Sequence, residues 1–394
     1  MTLPVGQIIQ GDGLEVMADW LDGCVDTVIT DPPYGLSFMG KNWDHGIPGV
    51  AYWAECLRVA KPGAFLLAFG GTRTFHRLTC AIEDAGWQIR DCMMWLYGSG
   101  FPKSMDISKA IDKVKGAERE IIQHRTGPRP GTHGGSGQYG HGEDRSITAP
   151  ATDLARAWQG WGTALKPAWE PIIVAMKPCD GTFAANAEKH GVAGLNIDGG
   201  RIQTHDNLNG GAYSGESGNR EASSYVIGQH AGKFAPPAGR FPANLILDEA
   251  AAEMLDEQSG TLTSGQPSGN RKALHHWSTP EKGTELTGFG DTGGASRFFY
   301  CAKASRSERG PGNDHPTVKP LKLMRYLVRL TATPTGGLVM DPFAGSGTTC
   351  VAAKLEGRPF IGIELDAEGK DFCGTARRRL LAAEAPLFAT EATL

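Results

Sequence analysis

The sequence has no apolar run approaching the roughly 20 residues of a membrane-spanning helix. Its N-terminus, MTLPVGQIIQGD, lacks both the basic start and the apolar core of a secretory signal. A soluble, cytoplasmic protein with no membrane partner is expected. The eight cysteines, Cys24, Cys56, Cys80, Cys92, Cys179, Cys301, Cys350 and Cys373, include no Cys-x-x-Cys pair and have no histidine at finger spacing. That speaks against a disulfide framework and a zinc site, and no metal is expected. The adjacent pair His275-His276 has no carboxylate or cysteine at ligand spacing and reads as a loop feature. No internal repeat of fixed period is present.

What is present bounds the fold. At 394 residues and 40% hydrophobic content the chain buries a sizeable core, in one large or two modest domains. A net charge of −4 gives no bulk signal for nucleic acid, but the charge is unevenly placed. The first 40 residues carry Asp12, Glu15, Asp19, Asp22, Asp26 and Asp31 and neither lysine nor arginine. Between 297 and 329 the balance reverses, with Arg297, Lys303, Arg306, Arg309, Lys319, Lys322, Arg325 and Arg329 against Glu308 and Asp314. Such a strip suits a phosphate backbone; the plainer reading is a solvated helix face.

Strand and helix signals alternate at the N-terminal end. QIIQGD, VDTVIT, AFLLAFG and IRDCMMWLYG read as strands; GLEVMADWLDG, GVAYWAECLRVAKPG and TRTFHRLTCAIEDAGW read as helices, the second closed by its Pro-Gly. Continuous apolar strands between amphipathic helices imply a parallel sheet covered on both faces. Segment 126–150 has loop composition and is expected to be mobile. EPIIVAMKP returns to strand character, and 180–296, rich in Gly, Ser and Asn, reads as an insertion. The alternation then resumes with LKLMRYLVRLTATP, GGLVMDP, TTCVAAKLEG, PFIGIELD and EGKDFCGTARRRLLAAE. One α/β domain is thus split between the two ends of the chain: 1–179 and 297–394, with 180–296 inserted.

Two turns carry chemistry. The strand Thr27-Val28-Ile29-Thr30 stops in Asp31-Pro32-Pro33-Tyr34. Proline fixes φ and has no N–H, so the pair ends the ladder and holds its neighbours rigidly. The second, Asp341-Pro342-Phe343-Ala344-Gly345-Ser346-Gly347-Thr348, joins a strand to a helix, and Glu364 follows about twenty residues after the turn at the end of the next strand, where a carboxylate accepts from ribose hydroxyls. No lysine follows the glycine turn and the third glycine of the dinucleotide fingerprint is missing. With Asp341 and Glu364 close by, a polyphosphate is disfavoured. A nucleoside bearing a cationic or zwitterionic group fits better, and S-adenosylmethionine is the natural candidate.

The order DPPY, then HPTVKPLKLM at 315–324, then DPFAGSGTT resembles the amino-DNA methyltransferases of the β arrangement, over roughly 1–120 and 296–380. YGSGFPKSMDISKAIDK, LKPAWEPIIVAMKP and SRFFYCAKASRSERG are similar to the phage and prophage members. The resemblance implies a circularly permuted Rossmann-like, S-adenosylmethionine-dependent fold with an inserted target-recognition domain at 180–296. The implied activity is transfer of a methyl group to the N6 amine of adenine in duplex DNA, within a restriction-modification setting. Cytosine N4 is the alternative; a non-catalytic DNA-binding protein and an RNA or protein-amide methyltransferase are further ones. A homodimer is compatible with it.

By the same resemblance Asp31, Pro32, Pro33 and Tyr34 are catalytic. Asp31 and the Pro32 carbonyl accept the two amine N–H groups, and Tyr34 stacks on the base rotated out of the duplex. Asp341, Pro342, Phe343, Gly345, Ser346, Gly347 and Thr348 hold the methionine side of the cofactor, Glu364 its ribose, Thr317 and Lys319 its carboxylate, and Asp12 its adenine. For Asp12 a simple helix cap is an equal reading.

Overall fold

The computed structural model describes residues 3–35, 46–98, 100, 104–124, 146–204, 238–263, 292–302, 318–366 and 370–383. Thr317, the pair His275-His276, Lys303, Arg306, Arg309 and most of 126–150 lie outside the described residues. The chain divides into two compact units, 1–96 with 170–394, and 97–169.

In the larger unit the N-terminal strands are β1 (Gln7–Gln10), β2 (Val25–Thr30), β3 (Ala60–Phe69) and β4 (Gln88–Leu96), separated by α1 (Gly13–Ala18), α2 (Val50–Val59) and α3 (Phe75–Asp84). The smaller unit contains α4 (Ile107–Val114), β5 (Ile121–Gln123), β6 (Ile147–Thr148) and α5 (Asp153–Ala157). It is organised about Asp112, whose fully buried carboxylate takes hydrogen bonds from Arg119 at 2.6 Å, the Ala151 N–H at 2.9 Å and the Thr152 hydroxyl at 2.8 Å. A buried charge survives only when paired and bonded in this way.

The larger unit resumes with β7 (Trp169–Met176), α6 (Phe183–His190), β8 (Leu245–Asp248), α7 (Glu249–Ser259), a small β9 (Leu262–Thr263) and β10 (Thr292–Gly293) ladder, and β11 (Tyr300–Ala302). It closes with α8 (Leu321–Leu330), β12 (Val339–Asp341), α9 (Thr348–Leu355), β13 (Phe360–Glu364) and α10 (Phe372–Ala382). Among the described residues the main sheet has nine strands, in the order β1-β13-β12-β2-β3-β7-β4-β8-β11. β1, β13, β12, β2 and β3 are parallel, and β7 is antiparallel to β3.

Alternate strand residues feed two cores. Ile29, Leu67, Phe69, Ile172 and Val174 pack with Leu323, Leu327, Val351 and Ala376 of α8, α9 and α10. Val28, Leu66 and Ile173 pack with Met17, Trp53, Cys56, Leu78 and Ile82 of α1, α2 and α3. Both faces are therefore covered, as the continuous apolar strands require.

From β12 the chain winds outward one way, to β13 and β1; from β2 it winds the other way, to β3. The strand order reverses between β12 and β2, and in such sheets ligands bind beyond the carboxyl ends of the strands at that reversal. Placing the C-terminal block before the N-terminal one restores an unbroken βα series. This is a circularly permuted Rossmann-like fold.

Two local readings change. Lys61-Pro62-Gly63 is not a helix stop: β3 begins at Ala60, and its register against β2 shifts between Val25 and Thr27, so the proline falls where the ladder is already interrupted. ANLILD, read as part of an insertion, supplies β8, which pairs in parallel with β4 and β11 at the sheet edge.

Candidate active site

β2 ends at Thr30, which places Asp31 at its carboxyl end; β12 beside it ends in Asp341. The Thr30 hydroxyl donates to Asp341 Oδ1 at 2.8 Å across 311 residues of sequence. That bond joins the two turns that carry chemistry.

On the β12 side, Asp341 is 2% exposed and also accepts from the Phe343 N–H at 3.1 Å. Burial pushes its carboxyl up to about 6. Glu364, at the end of β13, accepts from the Gly345 N–H at 2.7 Å, and burial pushes it up to about 7. Gly345 has φ +51, the left-handed region that frees its N–H for this bond. Two carboxylates raised by desolvation, with no lysine in the turn, disfavour an anion and welcome hydroxyl donors and positive charge.

Asp12 follows β1, which pairs with β13 so that Gln10 lies opposite Glu364. Its carboxylate caps α1, accepting from the Leu14 N–H at 2.8 Å, so the cap reading holds for that oxygen.

Three placements refine the expected roles. The fold itself requires glycine at position 347: its φ is +77, and a Cβ would stand 2.7 Å from the Ala376 Cβ on α10. The Ser346 and Thr348 hydroxyls each lie 3.0 Å from Arg379 Nη1, which also reaches the Ser346 carbonyl at 2.6 Å. Phe343 stacks on Tyr52 of α2 at 4.6 Å between centroids, and the Tyr52 phenol donates to the Pro342 carbonyl at 3.0 Å. A Cβ on Gly13 would fall 1.9 Å from that phenol oxygen, so Gly13 is what admits Tyr52. Neither Tyr52 nor Arg379 stands out in the sequence. Each lies on a helix with no motif of its own.

On the β2 side Pro32 is buried, and Asp31, Pro33 and Tyr34 are half-buried. The Tyr34 phenol donates to Asp31 Oδ1 at 2.7 Å, and the Tyr34 carbonyl accepts from the Thr74 hydroxyl at 2.7 Å. Lys319, just before α8, is 8% exposed and places its ammonium 2.6 Å from Asp31 Oδ2 and 3.1 Å from the Tyr34 phenol. Glu170, near the start of β7, completes the group at 3.3 Å from both Lys319 and the phenol. Burial acts to lower the Lys319 ammonium, but the charges of Asp31 and Glu170 outweigh it and hold it above its ordinary value. Burial, then the same two charges, hold the Tyr34 phenol well above its usual range.

Several cations of the basic strip have partners within the chain. Lys319 is turned inward, Arg325 and Arg329 share Glu356 at 2.6 and 3.2 Å, and Arg297 donates to the Gly293 and Gly294 carbonyls.

Among the described residues no group of three or more His, Cys, Asp or Glu side chains is placed to hold a metal ion, and no helix is long and apolar enough to cross a membrane.

A family model described as DNA methylase, of the N6/N4 type, matches residues 25–373. The type II methyltransferase M2.DpnII of Streptococcus pneumoniae is 52% identical over 66 residues, which are 17% of this chain and 23% of that protein. The DNA adenine methyltransferase YhdJ of Escherichia coli K12 is 47% identical over 55 residues, 14% of this chain and 18% of YhdJ. The type II methyltransferase M.HindIII of Haemophilus influenzae is 24% identical over 319 residues, 80% of this chain and 63% of that enzyme. The chain thus spans less than two thirds of the length of each of these relatives. Among solved structures, M1.HpyAVI bound to S-adenosylmethionine aligns over 95% of this chain and 98% of its own, at 17% identity and a TM-score of 0.40. The cytosine-N4-specific PvuII DNA methyltransferase aligns over 98% and 95%, at 14% identity and 0.39.

Proposed function

The chain belongs to the N6/N4 DNA methylase family, whose members use S-adenosylmethionine, and on that premise we propose that it methylates the exocyclic N6 amine of adenine in duplex DNA. The observation that carries this reading is the junction of β2 and β12. The buried acid Asp341 and a rigid Asp-Pro-Pro-Tyr turn follow neighbouring strands at the point where the strand order reverses, joined by the Thr30–Asp341 bond.

The residues fit the cofactor. Glu364 suits the ribose hydroxyls, Phe343 on its Tyr52 support offers a flat face, and the acidity of Asp341 suits a ligand with positive charge. S-adenosylmethionine supplies an electrophilic sulfonium methyl. The Lys319 ammonium, proposed for the cofactor carboxylate, has its nearest partner in Asp31 instead, and we assign it to the catalytic side of the site.

An exocyclic amine is a poor nucleophile because its lone pair is delocalised into the ring. Asp31 draws one N–H out of plane and the Pro32 carbonyl the other, both held by the two prolines, which is charge placed in advance where the transition state needs it. Tyr34 supplies the face on which the extruded base stacks. Bound S-adenosylmethionine would present its methyl group to the amine for in-line transfer, and Asp31, which accepts the amine N–H, would take the proton the nitrogen loses as its bond to carbon replaces the carbon–sulfur bond.

Adenine is favoured over cytosine by the acid at the first position of Asp31-Pro-Pro-Tyr, and YhdJ, which shares a stretch with this chain, carries adenine in its name. Target recognition is proposed for 180–296, tethered at the sheet edge by β8 and α7. The test is incubation with unmethylated genomic DNA and S-adenosylmethionine, followed by sequencing that detects modified bases. One modified adenine within a recurring sequence is expected. Modified cytosine would overturn the choice of base.

A further inference from the structure

The sequence pointed to one carboxylate on the catalytic side; the structure holds two. Asp31 and Glu170 face one another across two donors, the Lys319 ammonium and the Tyr34 phenol. Each donor is nearer Asp31, at 2.6 and 2.7 Å, and each reaches Glu170 at 3.3 Å.

Glu170 comes to this place through topology. β7 runs antiparallel to β3, with Ile172 opposite Phe69, so the start of β7 lies at the same end of the sheet as the carboxyl ends of β2 and β3. Lys319 is closed in beneath it, with its ammonium 4.9 Å from the centre of the Phe69 ring and 5.4 Å from that of Tyr34. At 8% exposure the charge of the ammonium is met chiefly by the carboxylates around it.

An ammonium on Asp31 Oδ2 works against the role proposed for that residue. Paired one to one, Asp31 and Lys319 sum to zero, and a neutralised carboxylate polarises an amine weakly. Two carboxylates sharing one ammonium leave a net negative charge on the group, and they give both donors a second acceptor when the amine arrives.

We propose that Glu170 is a positioning residue for methyl transfer, sharing Lys319 and Tyr34 with Asp31 and so leaving Asp31 the charge and lone pair that the target amine takes up. The inference rests on the activity proposed above. Glu170 acts through Lys319 and Tyr34, the two groups it reaches.

The experiment is single-turnover methyl transfer from S-adenosylmethionine to unmethylated genomic DNA, with cofactor and DNA affinities measured alongside. Glu170→Gln should slow the transfer step about tenfold while both affinities stay at wild-type values. Adding Lys319→Met to that variant should recover much of the loss, because the competing cation is gone; a residue that merely supports the fold predicts two losses that accumulate. Glu170→Asp, which withdraws the carboxylate by one methylene, covers the case in which the Gln variant does not fold. Part of the same loss is expected, again recovered with Lys319→Met. A wild-type rate in Glu170→Gln, a wild-type rate in Glu170→Asp, or a double variant slower than the single one overturns the inference. If the wild-type chain transfers no methyl group, the proposed function fails and this inference fails with it. An active wild type with an indifferent Glu170 sinks the inference alone.

Discussion

With Glu364 proposed as the acceptor of the cofactor ribose, cofactor affinity should depend on pH in a direction that the surroundings of Glu364 fix. Burial pushes the carboxyl up to about 7 in the free protein, while the Gly345 N–H at 2.7 Å favours the ionised form. Two ribose hydroxyls need an acceptor, so binding selects the carboxylate. The proton must leave as the ligand enters, and affinity must fall as pH drops through the free-state value. For a group titrating near 7, the ionised fraction falls about tenfold between about pH 8 and about pH 6, or about 1.4 kcal/mol. Asp341, at about 6, adds its own loss only lower down.

Calorimetry of S-adenosylmethionine binding across this range, in wild type and in Glu364→Gln, isolates the group, because titration of the ligand itself is common to both. Glu364→Gln should bind more weakly by about 1.5–3 kcal/mol at the alkaline end, the value of a hydrogen bond to a charged group. It should also lose the wild-type slope between about pH 8 and about pH 6. An identical slope in the two proteins would refute the reasoning and place the titrating group elsewhere.

Further outcomes follow from other contacts. Tyr52→Phe should lower stability by about 0.5–1.5 kcal/mol through loss of the bond to Pro342, read by thermal melting; an unchanged melting temperature would refute the contribution of that bond. Gly347→Val should destabilise the fold itself, by about 1–3 kcal/mol for its positive φ and more for the contact with Ala376, and thermal melting would show it. Tyr34→Ala should cost about 1–3 kcal/mol of stacking with the extruded base, read with a fluorescent base analogue at the target position.

Both chemical turns were legible because their signals are local: β-branched residues running into prolines, and a glycine turn between a strand and a helix. The interlocking ends of the chain were legible too, since an alternating βα series continues from one block into the other. The inward turn of Lys319 was not. Its partner Asp31 lies 288 residues away, and a lysine between proline and helix looks the same whether it faces water or a carboxylate. Glu170 was hidden for a related reason: its position depends on β7 running antiparallel, which a short apolar run does not reveal. β8 is four residues long and shows no usable periodicity. The packing constraint at Gly347 was not legible either, because its neighbour Ala376 belongs to a helix that begins beyond the next strand.

The central claim is tested most directly by Asp31→Ala. The wild-type chain and the variant are each incubated with S-adenosylmethionine carrying a tritiated methyl group and with unmethylated genomic DNA, and the DNA is digested to nucleosides. Label in N6-methyladenine is expected for the wild type. For Asp31→Ala, loss of transfer is expected with cofactor and DNA affinities retained, because the carboxylate acts on the amine in the transition state. Near-normal transfer by Asp31→Ala, or no label in DNA from the wild type, would contradict the central claim.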